Sequence, residues 1–302
     1  MASLATTNTK QVATVAYFEG INLIQDDWRK FTNYWDNDAA ALKVAAMTGI
    51  DDINTWDGGP NPLTTKSITS PATNGMTINY QGYGVSVILD RYDIKDISNL
   101  VGDASRKLGA AVSYKYAQLA FGLLAEGFSD ATYTTVDGKG LFDNTHTTAA
   151  GGTRSNYLAT ALDRTALFAA ITKMSRFPNF QGQYTNFADT GLVLIVPPEV
   201  RESAMEIVGS RLSGSDMQMN AVLGMDIDVI SSPLVGSDDN DWFLFTKRTW
   251  ESPLNLWNRS APYFTVSEDQ DNRQLKLGVD MAIGLGIGPQ PDGCVGSKAP
   301  AP

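Results

Sequence analysis

The sequence predicts an α+β fold in which one long helix, a mixed segment and a final group of strands belong to the same chain. The first observation is a run from Asp93 to Glu126 with apolar residues at spacings of three and four, which is typical of an amphipathic helix. The second is a segment from about 163 to 246 in which helix and strand patterns alternate. The third is the last third of the chain, which is rich in strand patterns.

The composition excludes several kinds of function. The 302 residues include one histidine and one cysteine. An intrachain disulfide is therefore impossible. A zinc site made of Cys and His is also excluded, because it needs about four such ligands. A formal charge of −10 disfavours binding along nucleic acid, which depends on Lys and Arg. No run approaches about 18 apolar residues and the N-terminus lacks a signal pattern, so we expect no membrane span and no secretory signal. The charged fraction of 19% is below the usual quarter, which suggests that partner subunits cover part of the surface.

The N-terminal region divides into two predicted parts. Residues 1 to about 20 show no helical periodicity and predict an extended, mobile arm. From Asn22 to Met47 a helical spacing predicts an amphipathic helix, whose apolar face is Ile24, Trp28, Phe31, Trp35, Leu42 and Ala46. This face packs either on the core of its own domain or on a neighbouring subunit, and the sequence leaves both alternatives open.

A β-hairpin or extended loop is predicted from about Ile50 to Leu89. Turn-forming Gly and Pro residues interrupt the chain between Thr48 and Pro71, and alternation follows at Met76, Ile78 and Tyr80. Such a projection has too little apolar mass to be stable alone, so we expect it to lie on another surface.

The predicted spine helix, Asp93 to Glu126, would run roughly 45 Å and end at Gly127. Further elements are predicted in the order helix 163–176, strand 192–196, helix 199–211, strands 225–230 and 242–246, and strands 263–266, 274–279 and 282–287. The tail from Pro289 to Pro302 is rich in Pro, Gly and Ala and is expected to be loose.

The sequence carries no specific catalytic or binding motif. His146 has Asp143 three residues away but no Gly-x-Ser-x-Gly elbow, so we expect it to bond to local backbone in a Gly-rich turn. The carboxylates at 199, 202 and 206 and the acidic runs 238–241 and 268–271 are interpreted as solvated faces and turns. The repeat Gly284-Leu285-Gly286-Ile287-Gly288 lacks the last glycine and the helix of a dinucleotide fingerprint. Cys294 shows no sign of an activated thiolate.

The order of these elements, with six short motifs, resembles the major capsid protein of tailed bacteriophages, which has the Hong Kong phage capsid fold also used by encapsulins. More specifically, the chain is similar to the Mu-like major head subunit family. The motifs that carry the resemblance are Tyr83–Val87, Arg91–Ile94, Asp137–Phe142 with His146, Leu192–Glu199, Asp226–Ile230 and Asp241–Leu244. Together they cover about residues 80 to 250.

The resemblance implies a domain plan. It gives an N-terminal arm with a helix, an E-loop hairpin lying over an adjacent subunit, a P-domain with the spine helix, an inserted A-domain, P-domain return strands and a flexible tail. The corresponding ranges are 1–49, 50–92, 93–156, 157–250, 251–288 and 289–302. We expect the subunit contacts at Trp28, Phe31, Trp35, Met76, Ile78 and Tyr80.

The function implied is a structural subunit that assembles with copies of itself, in hexamers and pentamers, into an icosahedral shell around double-stranded DNA. The resemblance also implies separate scaffold and portal proteins and is compatible with a decoration protein. It implies no cofactor, no metal and no membrane partner. The shell would be part of the virion and would be assembled in the bacterial host cytoplasm. Two alternatives stay open, a nanocompartment shell on the same fold and an enzyme of unknown type.

Overall fold

A computed structural model describes the chain over residues 7–23, 26–36, 42–45, 75–97, 99–130, 133–148, 151–179, 182–184, 186, 188, 191–209, 212–213, 218–219, 222, 225–235, 240–247, 252–269 and 271–298. The α-helices are α1 Thr7–Ile21, α2 Arg91–Asp96, α3 Leu100–Glu126, α4 Arg164–Ser175 and α5 Arg201–Gly209. The strands are β1 Asn33–Asp36, β2 Leu42–Ala45, β3 Gly75–Ile78, β4 Tyr80–Asp90, β5 His146–Thr147, β6 Thr153–Arg154, β7 Tyr157–Leu158, β8 Leu192–Val196, β9 Leu212–Ser213, β10 Gln218–Met219, β11 Ile227–Ser231, β12 Trp242–Thr246, β13 Leu254–Asp269, β14 Gln274–Ile287 and β15 Cys294–Ser297. Short 3₁₀ helices lie at Asp27–Lys30 and Pro198–Val200.

The spine helix is present as α3, which runs for 27 residues, or about 40 Å. It ends before Gly127, as predicted. The predicted start at Asp93 falls instead in α2, because Asn99 takes a left-handed φ of 65° and separates the two helices. Asp90 caps α2 by accepting a hydrogen bond from the Tyr92 amide at 2.8 Å.

The prediction of an extended N-terminal arm is wrong for residues 7–21, which form α1. This helix packs along α3 through its small residues, and Ala13, Ala16 and Gly20 are buried at the contact. A Cβ at Gly20 would lie 2.1 Å from the Arg106 carbonyl oxygen, so the two backbones touch. Close backbone packing on α3 therefore stabilises α1 as a helix, although its sequence lacks the apolar periodicity that would predict one.

The predicted helix from Asn22 to Met47 is also wrong in the residues that the structure describes. Trp28 lies in a 3₁₀ turn, and residues 33–36 form β1, which pairs in parallel with β13. Residues 42–45 form β2. Residues 24–25, 37–41 and 46–47 lie outside the described residues. The helical spacing of the apolar residues does not decide the structure here, because β1 pairs with β13, which lies 222 residues later in the sequence.

A four-stranded sheet packs on α1 and α3, with strand order β1-β13-β14-β4. The predicted strands 263–266, 274–279 and 282–287 are parts of the two long strands β13 and β14, which pair antiparallel. Irregularities in register between Asn258 and Tyr263 bend this pair. Residues 80–90, which were predicted within the hairpin, form β4 and pair with β14 along their full length.

The hairpin itself is present at its base. Strands β2 and β3 pair antiparallel, from Leu42 opposite Ile78 to Ala45 opposite Gly75. The hairpin therefore begins at Leu42 and not at Ile50, and the remaining predicted hairpin residues, 50–74, lie outside the described residues.

A five-stranded sheet, with order β11-β8-β12-β15-β7, forms the second layer. One face of β8 and β12 packs toward the spine helix through Val193, Ile195, Phe243 and Phe245, and the other face packs on α4. Burial on both faces explains the uninterrupted apolar run 192–196. The predicted helix 163–176 is confirmed as α4, whose cap is Asp163.

The prediction of a loose C-terminal tail is wrong for residues 294–297. This segment is β15, which is buried between β12 and β7. Arg154 fixes the approach to it, because its guanidinium contacts the Asp292 carboxylate at 2.6 Å and the Pro178 carbonyl oxygen at 2.8 Å. The last residues, 299–302, lie outside the described residues.

Candidate intersubunit interface

Trp28 and Phe31, predicted as contact residues, lie inside the chain's own core. Trp28 is 1% exposed and stacks on Tyr116 with ring centroids 5.7 Å apart, and Phe31 is fully buried against Phe121 and Phe245. Such side chains offer no surface to a neighbour. Of the two alternatives left open by the sequence, the structure supports packing on the own domain for these two residues.

Trp35 and Tyr80 lie on the outer face of the four-stranded sheet. The register places Trp35 opposite Trp257, Trp257 opposite Gly284, and Gly284 opposite Tyr80, so these positions form one row across all four strands. Trp35 is 44% exposed and Tyr80 is 42% exposed. The row therefore presents two large aromatic side chains to the surface, on either side of the buried Trp257.

A hydrogen bond, a ring–ring contact and a cation–π contact hold these aromatic side chains in place. The Trp35 indole N–H donates to the Asn255 Oδ1 at 3.1 Å. The Tyr80 ring packs edge-on against Trp257, with centroids 6.2 Å apart, and the Arg259 guanidinium carbon lies 3.9 Å from the Tyr80 ring centroid. Trp35, Tyr80, Trp257 and Arg259 are called the aromatic row below.

Sequence reasoning missed Trp257 and Arg259. The run 254–258, Leu-Asn-Leu-Trp-Asn, alternates only as far as Leu256, and the pairing of the strand with β1 and β14 decides which side chains share a face with Trp257. Of the other two predicted contact residues, Ile78 is 4% exposed and packs on the sheet. For Met76 the structure describes the backbone pairing with Val44 and not the side chain.

A second apolar surface, also missed, lies on α1. Its side chains Val12, Val15 and Phe18 are about half exposed or more, and Val12 and Val15 line a groove beside the start of α3. They come at spacings of three, but the small residues and Thr14 between them make the stripe hard to recognise in the sequence.

The single histidine is buried in the turn 135–148. Its Nδ1 lies 3.0 Å from the Asp137 Oδ2, and its Nε2 lies 3.2 Å from the Leu141 carbonyl oxygen. The expected backbone contact is therefore present, together with a carboxylate partner that the sequence did not indicate. With both ring nitrogens facing protein oxygens, neither is directed at a substrate.

The pKa of the Asp137 carboxyl is well below its usual value. Burial alone would raise it, but hydrogen bonds from His146, from the Thr135 hydroxyl and from the Thr147 amide outweigh that effect. The turn also seats Phe142 against Phe243 of the five-stranded sheet, with ring centroids 5.3 Å apart. This cluster therefore has a structural role.

The remaining candidates for chemistry are equally structural. Cys294 is buried, and burial raises the pKa of its thiol. Glu199, Glu202 and Glu206 are exposed, as the solvated-face interpretation expects. Among the residues that the structure describes, no three His, Cys, Asp or Glu side chains are grouped to hold a metal ion. No helix within the described ranges is long and apolar enough to cross a membrane.

Two family models match the sequence, each over more than half of it. The model described as phage capsid protein matches residues 88–297. The model described as Mu-like prophage major head subunit gpT matches residues 8–161. None of the curated proteins matches this sequence.

Solved structures share the fold at low sequence identity. The capsid of the cyanophage P-SCSP1u matches with a TM-score of 0.60 and 12% identity, over 91% of this chain and 88% of that one. The mature capsid of bacteriophage PhiM1 gives 0.58 and 13%, over 92% and 88%. A virus-like particle from Pyrococcus furiosus gives 0.58 and 11%, over 95% and 98%.

Proposed function

The chain belongs to the phage capsid protein family, as a major head subunit of the Mu-like kind, and from this premise we propose how its copies contact one another. The family establishes a structural role in the icosahedral head of a tailed phage, and the fold is that of the Hong Kong phage capsid.

The aromatic row is the proposed contact with a neighbouring subunit. The observation that carries it is the exposure of Trp35 and Tyr80 on the two edge strands of one sheet face, with the buried Trp257 between them and the subunit core on the opposite face. Large aromatic residues and arginine dominate the energetics of protein interfaces. Asn255 and Trp257 fix the two exposed rings before association, which lowers the entropy lost on binding.

The domain plan follows the two sheets. The four-stranded sheet with α1, α2 and α3 is the proposed P-domain. The five-stranded sheet with α4 and α5 is the proposed A-domain, covering about 157–250 with the strand Cys294–Ser297 added. The chain that leaves at Ala45 and returns at Gly75 is the proposed E-loop.

The wider partners are also part of the proposal. Copies of the chain form hexamers and pentamers, a separate scaffold and a portal protein direct assembly in the host cytoplasm, and the shell encloses DNA without reading its sequence. The net charge of −10 supports this, because an acidic wall does not trap a polyanion. The subunit performs no catalysis in this scheme.

Assembly of W35A and Y80A tests the proposed contact. Removing either ring should raise the concentration needed for assembly by at least about tenfold, because interface hot spots contribute about 2 kcal/mol or more. Sedimentation velocity measures the assembled fraction, and thermal melting of the free subunit shows whether it stays folded. Unchanged assembly in both variants would refute the contact.

A nanocompartment shell is the second candidate function, favoured by the match to the Pyrococcus furiosus virus-like particle. Particles isolated from the native source separate the two. DNA inside and a tail at one vertex support the phage head, whereas particles filled with protein cargo and free of DNA support the compartment.

A further inference from the structure

The glycine repeat near the C-terminal end of β14 lies in an extended strand and not in a nucleotide-binding loop or a turn. Gly284, Gly286 and Gly288 alternate with Leu285 and Ile287, so the three glycines share one face of the strand region and the apolar side chains share the other. None of the three has a positive φ, so backbone conformation does not require glycine here. The requirement is one of space.

The space is occupied by the base of the hairpin and by the aromatic row. A Cβ at Gly286 would lie 2.8 Å from Cγ1, 3.0 Å from Cδ1 and 3.3 Å from Cγ2 of Ile78. A Cβ at Gly284 would lie 2.6 Å from the Trp257 ring and 3.1 Å from the Asn79 carbonyl oxygen. Both glycines are therefore in close contact with the segment that joins β3 to β4.

Ile78 is the residue through which this contact reaches the hairpin. It is the last residue of β3, it pairs with Leu42 of β2, and it is 4% exposed. Two residues later the chain enters β4, where Tyr80 pairs with Gly284. The position of Ile78 on Gly286 thus fixes the hairpin base relative to the sheet.

We propose that Gly286, together with Gly284, is a positioning element for assembly: the bare face of β14 seats Ile78 and so sets the direction in which the chain leaves at Ala45 and returns at Gly75. Gly284 also leaves space for the Trp257 ring, against which Tyr80 packs edge-on. The two glycines therefore fix the position of the hairpin base relative to the aromatic row. This inference rests on the proposed function of the hairpin as a contact with a neighbouring subunit.

The G286A variant tests the seat. Its methyl group cannot coexist with Ile78 in place, so Ile78 must move, and the concentration needed for shell assembly should rise by at least about tenfold, as for loss of an interface anchor. Hydrogen exchange of the amides of residues 75–79 should become faster in the free subunit, while exchange within α3 stays as in the wild type. The matched control is G122A on α3, where a Cβ meets no atom within 4 Å, and which should assemble normally.

The double variant I78A/G286A keeps the test decisive if G286A folds poorly. Removing the Ile78 side chain makes room for the new methyl group, so the double variant should recover assembly relative to G286A, and exchange at 75–79 should slow again. Normal assembly of G286A, or no recovery in the double variant while I78A alone assembles, would overturn the inference. Failure of the wild-type protein to form shells would instead count against the proposed function.

Discussion

At the scale of single residues, His146 and Asp137 stabilise the turn that joins the spine helix to the five-stranded sheet. Asp137 accepts hydrogen bonds from the His146 ring and from the amides of Thr147 and Lys139. The Leu141 carbonyl oxygen faces the other His146 nitrogen and also accepts from the Asn156 side chain at 2.8 Å. These bonds hold Phe142 between the two layers.

The lowered pKa of Asp137 predicts a pH dependence of stability. A carboxyl whose pKa is lower in the folded state contributes stability above its unfolded pKa of about 3.9, and this contribution is lost as pH falls below about 4. D137N should therefore cost about 1 to 3 kcal/mol at pH 7. The cost should shrink on acidification below pH 4.

Urea unfolding from pH 3 to pH 7 measures this difference. The control is D96N, which changes an exposed carboxyl at the last residue of α2. A constant difference between D137N and wild type across the range would contradict the assignment.

Trp28 and Trp35, seven residues apart, should differ in what their truncation to alanine affects: stability of the subunit for Trp28 and assembly for Trp35. W28A empties a buried site against Tyr116 and should lower the free energy of unfolding by about 3 to 5 kcal/mol. W35A removes a half-exposed ring and should change it by about 1 kcal/mol or less, while reducing assembly. Chemical denaturation of the free subunit distinguishes them, and equal losses of stability would place Trp35 in the core.

At the scale of elements, apolar periodicity predicted the spine helix, α4 and the strands β8 and β12, because each buries large side chains at regular spacing. It failed for α1, whose buried face is Ala13, Ala16 and Gly20 with a single large side chain, Tyr17. It also failed for residues 28–36 and for β15, whose positions depend on pairing with strands far away in sequence. The aromatic row could be predicted only in part, since its completion by Trp257 and Arg259 requires the strand order.

The contact between α1 and α3 gives a prediction about an element. A Cβ at Gly109 would lie 2.1 Å from the Tyr17 carbonyl oxygen, so G109A must push the helices apart. We expect a loss of about 1 to 3 kcal/mol in the free energy of unfolding, the usual cost of overpacking. The control G122A lies on the same helix in open space and should be neutral or stabilising by up to about 1 kcal/mol. Equal effects in the two variants would contradict the close contact.

At the scale of the whole molecule, the features of the subunit point toward assembly. Its one histidine and one cysteine are buried in structural roles, and two of its exposed aromatic residues, Trp35 and Tyr80, lie on the sheet face beside the base of a hairpin. A repeated contact of this kind, made by the same patches on every copy, is how a closed shell is built.

An electron cryomicroscopy reconstruction of the purified, assembled protein tests directly whether the aromatic row lies at a contact between subunits. We expect hollow icosahedral shells in which Trp35 and Tyr80 of each subunit are covered by a neighbouring copy. A protein that stays monomeric under all assembly conditions, or shells in which both rings face solvent, would contradict this expectation.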